Sequence, residues 1–104
     1  MMLKLTFFVP EEHAEGVKQA VFDAGAGRIG DYEHCAWQCL GTGQFRPMQG
    51  ANPFLGKVGD LETAPELRVE MVCEDQYIEA VVAALKAAHP FEEPAYDVIQ
   101  VLQL

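Results

Sequence analysis

The chain has 104 residues, half of them hydrophobic and 22% charged, which fits one globular domain with a single core and excludes a disordered chain. A net charge of −9, with only seven Lys and Arg scattered singly, excludes a nucleic-acid surface, because phosphate backbones need clustered cations. No apolar run approaches the roughly 20 residues of a membrane span, and Met1 to Pro10 is too short for a signal peptide, so the expected location is cytoplasmic.

Leu3, Leu5, Phe7 and Val9 alternate with Lys4, Thr6 and Phe8, the period of a first strand. Pro10 fixes φ for a helix start, and Glu11 and Glu12 suit the positive end of its dipole. Ala14, Val17, Ala20, Val21 and Ala24 then form an apolar stripe at helical spacing, and Gly25 stops the helix. Tyr32 to Leu40 reads as a second strand with Cys35, Trp37 and Cys39 on one face. Gly41-Thr42-Gly43 reads as a turn, with Phe45 opening a short return strand. Pro47 to Gly59, with two prolines and three glycines, is a long loop of the kind that covers or binds something.

The next strand runs from Glu66 to Cys73, with Leu67, Val69, Met71 and Cys73 inward and Arg68 and Glu70 outward. Glu74 or Asp75 caps a second helix whose stripe is Ile78, Val81, Val82 and Leu85; it ends near His89, since the residue before Pro90 is pushed out of the α region. Tyr96 to Leu102 is the last strand. The order βαββαβ predicts an α+β, ferredoxin-like sandwich with an antiparallel sheet, both helices on one face and a long glycine-rich loop in the middle. Strands one and four are apolar at both parities (Phe7 with Phe8, Val98 with Ile99), so the second face needs a cover, and a partner subunit would supply it.

The densest set of chemical groups is the connector His89-Pro90-Phe91-Glu92-Glu93-Pro94-Ala95-Tyr96-Asp97. One imidazole and three carboxylates could hold a divalent cation or move a proton, with His89 and Glu93 as ligands and zinc or copper preferred by the imidazole. The simpler reading is that two prolines shape a helix-to-strand connector and the charges are solvated. Three cysteines, an odd number without an export signal, read as reduced and mostly buried thiols; Cys35 and Cys39, on one strand face about 13 Å apart, can share neither a disulfide nor a metal. His34 could join His89 as a ligand, whereas His13 reads as a solvated group. Gly25-Ala26-Gly27 follows a helix instead of opening one, so it is no phosphate cradle, and the absence of serine removes serine hydrolase chemistry.

The strings Gly25-Ala26-Gly27-Arg28-Ile29-Gly30-Asp31-Tyr32, Gly41-Thr42-Gly43-Gln44-Phe45-Arg46-Pro47, Gly50-Ala51-Asn52-Pro53-Phe54 with Gly56, and the His89 to Asp97 connector resemble the domain inserted in YqfO-type proteins. These are dinuclear-metal hydrolase-like relatives of the NGG1-interacting factor, and the resemblance covers nearly the whole chain. It implies a PII/CutA-like domain over residues 1–104, of a kind that usually assembles as a trimer, here as a stand-alone chain. It marks Gly41, Gly43, Phe45, Arg46, Asn52, His89, Glu92, Glu93, Tyr96 and Asp97 as candidate ligand residues. The catalytic halves that flank the insert in that family have no counterpart here, so their metal ligands transfer to no position. The expected function is a non-catalytic homo-oligomeric binding or regulatory module, trimeric first and dimeric second, for a small molecule, a divalent metal or a partner protein. The alternatives are an assembly domain without ligand and, behind it, a small metal-dependent hydrolase.

Overall fold

The computed structural model describes residues 1–104. Four strands, β1 (Met2–Pro10), β2 (Trp37–Phe45), β3 (Glu62–Glu74) and β4 (Tyr96–Gln100), form one sheet in the order β2-β3-β1-β4, every neighbouring pair antiparallel. Helix α1 (Ala14–Asp23) connects β1 to β2, and α2 (Ile78–Ala88) connects β3 to β4. The fold is the ferredoxin-like α+β sandwich that the pattern predicts, with both helices on one face of the sheet.

Alternation places the core. Leu5, Phe7 and Val9 of β1 lie opposite Met71, Val69 and Leu67 of β3, and all six are buried against Val17 and Val21 of α1 and Val81 and Leu85 of α2. Truncating a fully buried side chain such as Leu85 removes its transfer energy and leaves a cavity, a loss of about 2–5 kcal/mol. The opposite parity faces away from the helices. There β1 presents Lys4, Thr6 and Phe8, β3 presents Glu66, Arg68 and Glu70, and β4 presents Asp97 and Ile99.

Several sequence boundaries shift. Strand β2 starts at Trp37, not Tyr32, because the chain turns first: Gly27 N–H donates to the Val72 carbonyl, Cys35 N–H returns to the Gly27 carbonyl, and an isolated bridge joins Ile29 to Tyr32. Gly41-Thr42-Gly43 is no turn. These residues continue β2 opposite Glu66, Pro65 and Ala64, and Phe45 ends this strand instead of opening another. Strand β3 correspondingly begins at Glu62, and β4 ends at Gln100. Each helix is entered through a 3₁₀ turn, Glu11–His13 and Asp75–Tyr77, with no side-chain cap. The thiols are also not mostly buried: Cys73 is, Cys35 is half-buried and Cys39 is exposed on β2, the edge strand.

With a radius of gyration of 14.5 Å and extents of 46 × 24 × 24 Å, the molecule is longer than a compact chain of this size, for which about 13 Å is usual. The β2–β3 ladder continues over Glu62 to Pro65, beyond the last β1 pair, Pro10 with Glu66.

Candidate functional site

The segment from Arg46 to Leu61 closes on itself, the Gly59 N–H donating to the Pro47 carbonyl at 2.8 Å, so the predicted long loop is a folded Ω-type loop. It is tied to the rest of the chain at two places. Asn52 N–H donates to Glu92 Oε1 at 2.9 Å, which joins it to the connector between α2 and β4. The Phe54 ring packs edge-on against His13 at 5.5 Å and lies 6.2 Å from Phe91. His13, expected as a solvated group, is therefore half-buried under the loop.

Between loop, connector and sheet lies a cleft of about 280 Å³. Phe45, Phe54 and Phe91 supply its aromatic wall, with Phe45 and Phe91 centroids 5.9 Å apart. Arg46, Glu66, Glu92 and Glu93 supply its charges. Of the sequence candidates, Phe45, Arg46, Glu92 and Glu93 line it, Asn52 supports it through its backbone, and Gly43 shapes its floor. A Cβ on Gly43 would overlap the carboxylate of Glu66, so glycine lets that side chain lie across β2. Gly41 is the direct partner of Glu66 in the ladder.

Tyr96 and Asp97 are not brought to the cleft. Once β4 begins, they diverge: Tyr96 turns to the helices, where Lys86 Nζ sits 5.6 Å from its ring, and Asp97 lies opposite Thr6 on the other face. His89 is likewise not poised as a metal ligand. It is 6% exposed, its Nε2 lies 2.7 Å from the Phe8 carbonyl oxygen, and its Nδ1 accepts from Phe91 N–H at 3.1 Å. Both ring nitrogens are thus engaged, leaving no free lone pair to share with Glu93. His34 stacks on Phe22 at 4.7 Å, and the Gly27–Val72 bond fixes its segment at the Lys4 end of β1, away from His89. No group of three His, Cys, Asp or Glu side chains is close enough to hold an ion.

Glu66 is the residue that sequence reading passed over. It is 9% exposed, yet lines the cleft. Burial alone pushes its carboxyl above the usual carboxylate value, with no hydrogen bond or ion pair offsetting it. The signal was present: Gly41 and Gly43 share its face, and two side-chain-free positions beside a carboxylate leave it room.

No protein-family model matches the chain. It is 52% identical over 95 residues to the GTP cyclohydrolase 1 type 2 homolog of Mycobacterium leprae, and 47% identical over 100 residues to that of Bacillus subtilis. Those matches take in 91% and 96% of this chain but 25% and 27% of the relatives, so the chain spans about a quarter of their length. Among solved structures, a Bacillus cereus protein related to NIF3 superposes with a TM-score of 0.81 at 44% identity, over 94% of this chain and 25% of that one. The chain is a homologue of about a quarter of these NIF3-related proteins. The fold also matches the periplasmic divalent cation tolerance protein CutA of Archaeoglobus fulgidus, with a TM-score of 0.71 at 17% identity over 99% of this chain and 86% of that one. In this chain, residues of three motif strings, Gln44 to Pro47, Ala51 to Phe54 and Phe91 to Glu93, meet at the cleft although about a third of the chain separates the last from the others.

Proposed function

We propose that this YqfO-type domain is a non-catalytic binding or regulatory module, that its ligand site is the cleft under the Ω-type loop, and that it works as a homo-oligomer. The observation that carries this reading is the use of the loop. Its internal bonds, its tie to Glu92 and the packing of Phe54 all hold it over the sheet edge, and what they enclose is a pocket with three aromatic rings and four charged side chains. A connector without function would not need to be folded back and pinned.

No hydroxyl, thiol or imidazole lines the cleft, which favours recognition over covalent catalysis. The longer relatives carry GTP in their name, but three carboxylates against one guanidinium make this cleft a poor seat for a triphosphate. In this reading any nucleotide chemistry of those proteins lies outside the segment matched here. A divalent metal such as zinc or copper has no preformed ligand set to support it.

The oligomer rests on the face opposite the helices. Phe8 and Val72 are half-buried there, Ile99 is exposed, and Trp37 is 59% exposed on β2. An elongated monomer with aromatic side chains on an open sheet face is stabilised by a second copy laid against it. A trimer is the first choice and a dimer the second.

The test is nuclear magnetic resonance of ¹⁵N-labelled chain against a panel of amino acids, nucleotides, dicarboxylates and aromatic amines at millimolar concentration. At least one class should shift the amides of Gly43, Asn52 and Glu92 together. If none moves them, the cleft is not a ligand site.

A further inference from the structure

The charges around Glu66 say what kind of ligand the cleft accepts. The basic side chains next to it on the open face are already committed: Arg68 Nη2 lies 2.7 Å and Lys4 Nζ 3.4 Å from the carboxylate of Glu70. Glu92 accepts from Asn52 N–H, while Glu66 is left nine-tenths buried without a donor. Arg46, the one cation on the lining, is exposed. Its carboxylate oxygens still touch solvent, but burial of the residue costs part of their hydration and no protein donor offsets it, so a donor entering the cleft would recover that loss.

The walls narrow the choice of donor. Phe45, Phe54 and Phe91 present ring surfaces, whose negative faces attract cations and whose area favours apolar groups. A bare divalent ion needs several hard or imidazole ligands around it, and the carboxylates of the cleft are not gathered into such a set. An ammonium or guanidinium needs only one carboxylate and aromatic neighbours. Building on the reading of this cleft as a ligand site, we infer that it takes a small organic cation, a protonated amine or guanidine bearing an aromatic or alkyl group. The cation sits on Glu66, and the apolar part lies among the three phenylalanines. Gly43 is then a positioning residue, because only a residue without Cβ lets the Glu66 carboxylate lie where the cation meets it. The upward push on the Glu66 carboxyl is consistent with this, since burial disfavours its charged form and a bound cation would offset that cost.

Three probes of similar shape and different charge test it: benzylammonium, benzyl alcohol and benzoate, each titrated into ¹⁵N-labelled wild type, Glu66→Gln and Gly43→Ala at neutral pH. Benzylammonium should bind wild type most tightly, shifting the Gly43, Asn52 and Glu92 amides. Glu66→Gln should weaken it by about ten- to a hundredfold, as loss of a charge-assisted hydrogen bond does, and leave benzyl alcohol unchanged. Gly43→Ala, which keeps the charge but displaces it, should weaken benzylammonium in the same direction. Both variants should give the dispersed amide spectrum of the wild type. Benzyl alcohol or benzoate binding as tightly as the amine, or Glu66→Gln leaving the amine unaffected, overturns the inference while the cleft stands as a ligand site. If no probe moves the cleft amides, the cation inference falls, and the wider panel above decides separately whether the cleft binds anything.

Discussion

The Nε2 of His89 lies 2.7 Å from the carbonyl oxygen of Phe8, a contact between residues 81 positions apart. Because Nδ1 accepts from Phe91 N–H, the proton sits on Nε2 and the imidazole is neutral. Burial, with a smaller push from His13, holds its pKa below the ordinary 6.5, although the Phe8 carbonyl pulls the other way. The unfolded chain therefore takes up a proton at higher pH than the folded one. The contribution to stability is complete above 6.5 and is lost as pH falls through the lowered folded value. Urea unfolding should show wild type losing stability between pH 7.5 and pH 5. His89→Ala should cost about 1–3 kcal/mol at pH 7.5, since two backbone groups lose their partner, and should flatten the pH slope. An unchanged slope in the variant would refute this role. Zinc titrated into wild type and His89→Ala should give the same heats.

Gly27 and Gly16 should respond oppositely to alanine. At Gly27 φ is +79°, and a Cβ would come within 2.8 Å of the Phe22 ring and 3.0 Å of the Cys35 carbonyl oxygen. Strain and collision together should cost about 1–3 kcal/mol. Gly16 lies within α1 with nothing within 4 Å of an added Cβ, so Gly16→Ala should stabilise by about 0.5–1 kcal/mol through helix propensity. Thermal melts of the two variants should move in opposite directions.

The three thiols should separate in time when the native chain meets Ellman's reagent. Cys39 is exposed and should react first, followed by half-buried Cys35. Cys73 should lag by orders of magnitude, because burial, and then the neighbouring Glu74 charge, raises its pKa and reduces the thiolate. Mass spectrometry of the partly labelled chain assigns each phase; early labelling of Cys73 would contradict the packing of β3.

Sedimentation equilibrium at micromolar concentration should give a mass above that of one chain. Trp37→Lys and Ile99→Lys place a charge on the open sheet face, distant from the core, and should shift the equilibrium toward monomer with little change in the circular dichroism of the fold. A wild type that is monomeric under these conditions removes the oligomer from the proposal.

The sequence made the strands of the core legible because every inward position along the middle of β1 and β3 is apolar, even though Phe8 and Val72 add apolar groups to the other face. Leu67, Val69, Met71 and Cys73 are all inward as their spacing requires. It misplaced β2, since that strand lies at the sheet edge and has no buried residue, leaving no apolar period to read. There Gly41 and Gly43 looked like a turn, whereas they are extended residues making room for a neighbour. The connector was visible as a dense string of groups, but its division of labour was not. Only the fold decides that His89 turns inward to Phe8 while Glu92 and Glu93 face the cleft. Glu66 was hidden by its own regularity, because its charge continues the outward series of Arg68 and Glu70.

The bond from Asn52 to Glu92 spans 40 residues and closes the cleft between a loop in the middle of the chain and a connector near its end. No single hairpin contains the site. While the chain is being synthesised, the loop can fold with β2 and β3 and lay Phe54 on His13, yet its bond to Glu92 waits until the connector to β4 is in place. Strand β4 is also the shortest of the four, five residues long, and so the first expected to fray. A ligand bridging loop and connector would therefore bind only chains whose last strand is in place, and by holding the connector down it would slow that strand's release. Occupancy of the cleft would then report that the last strand is in place.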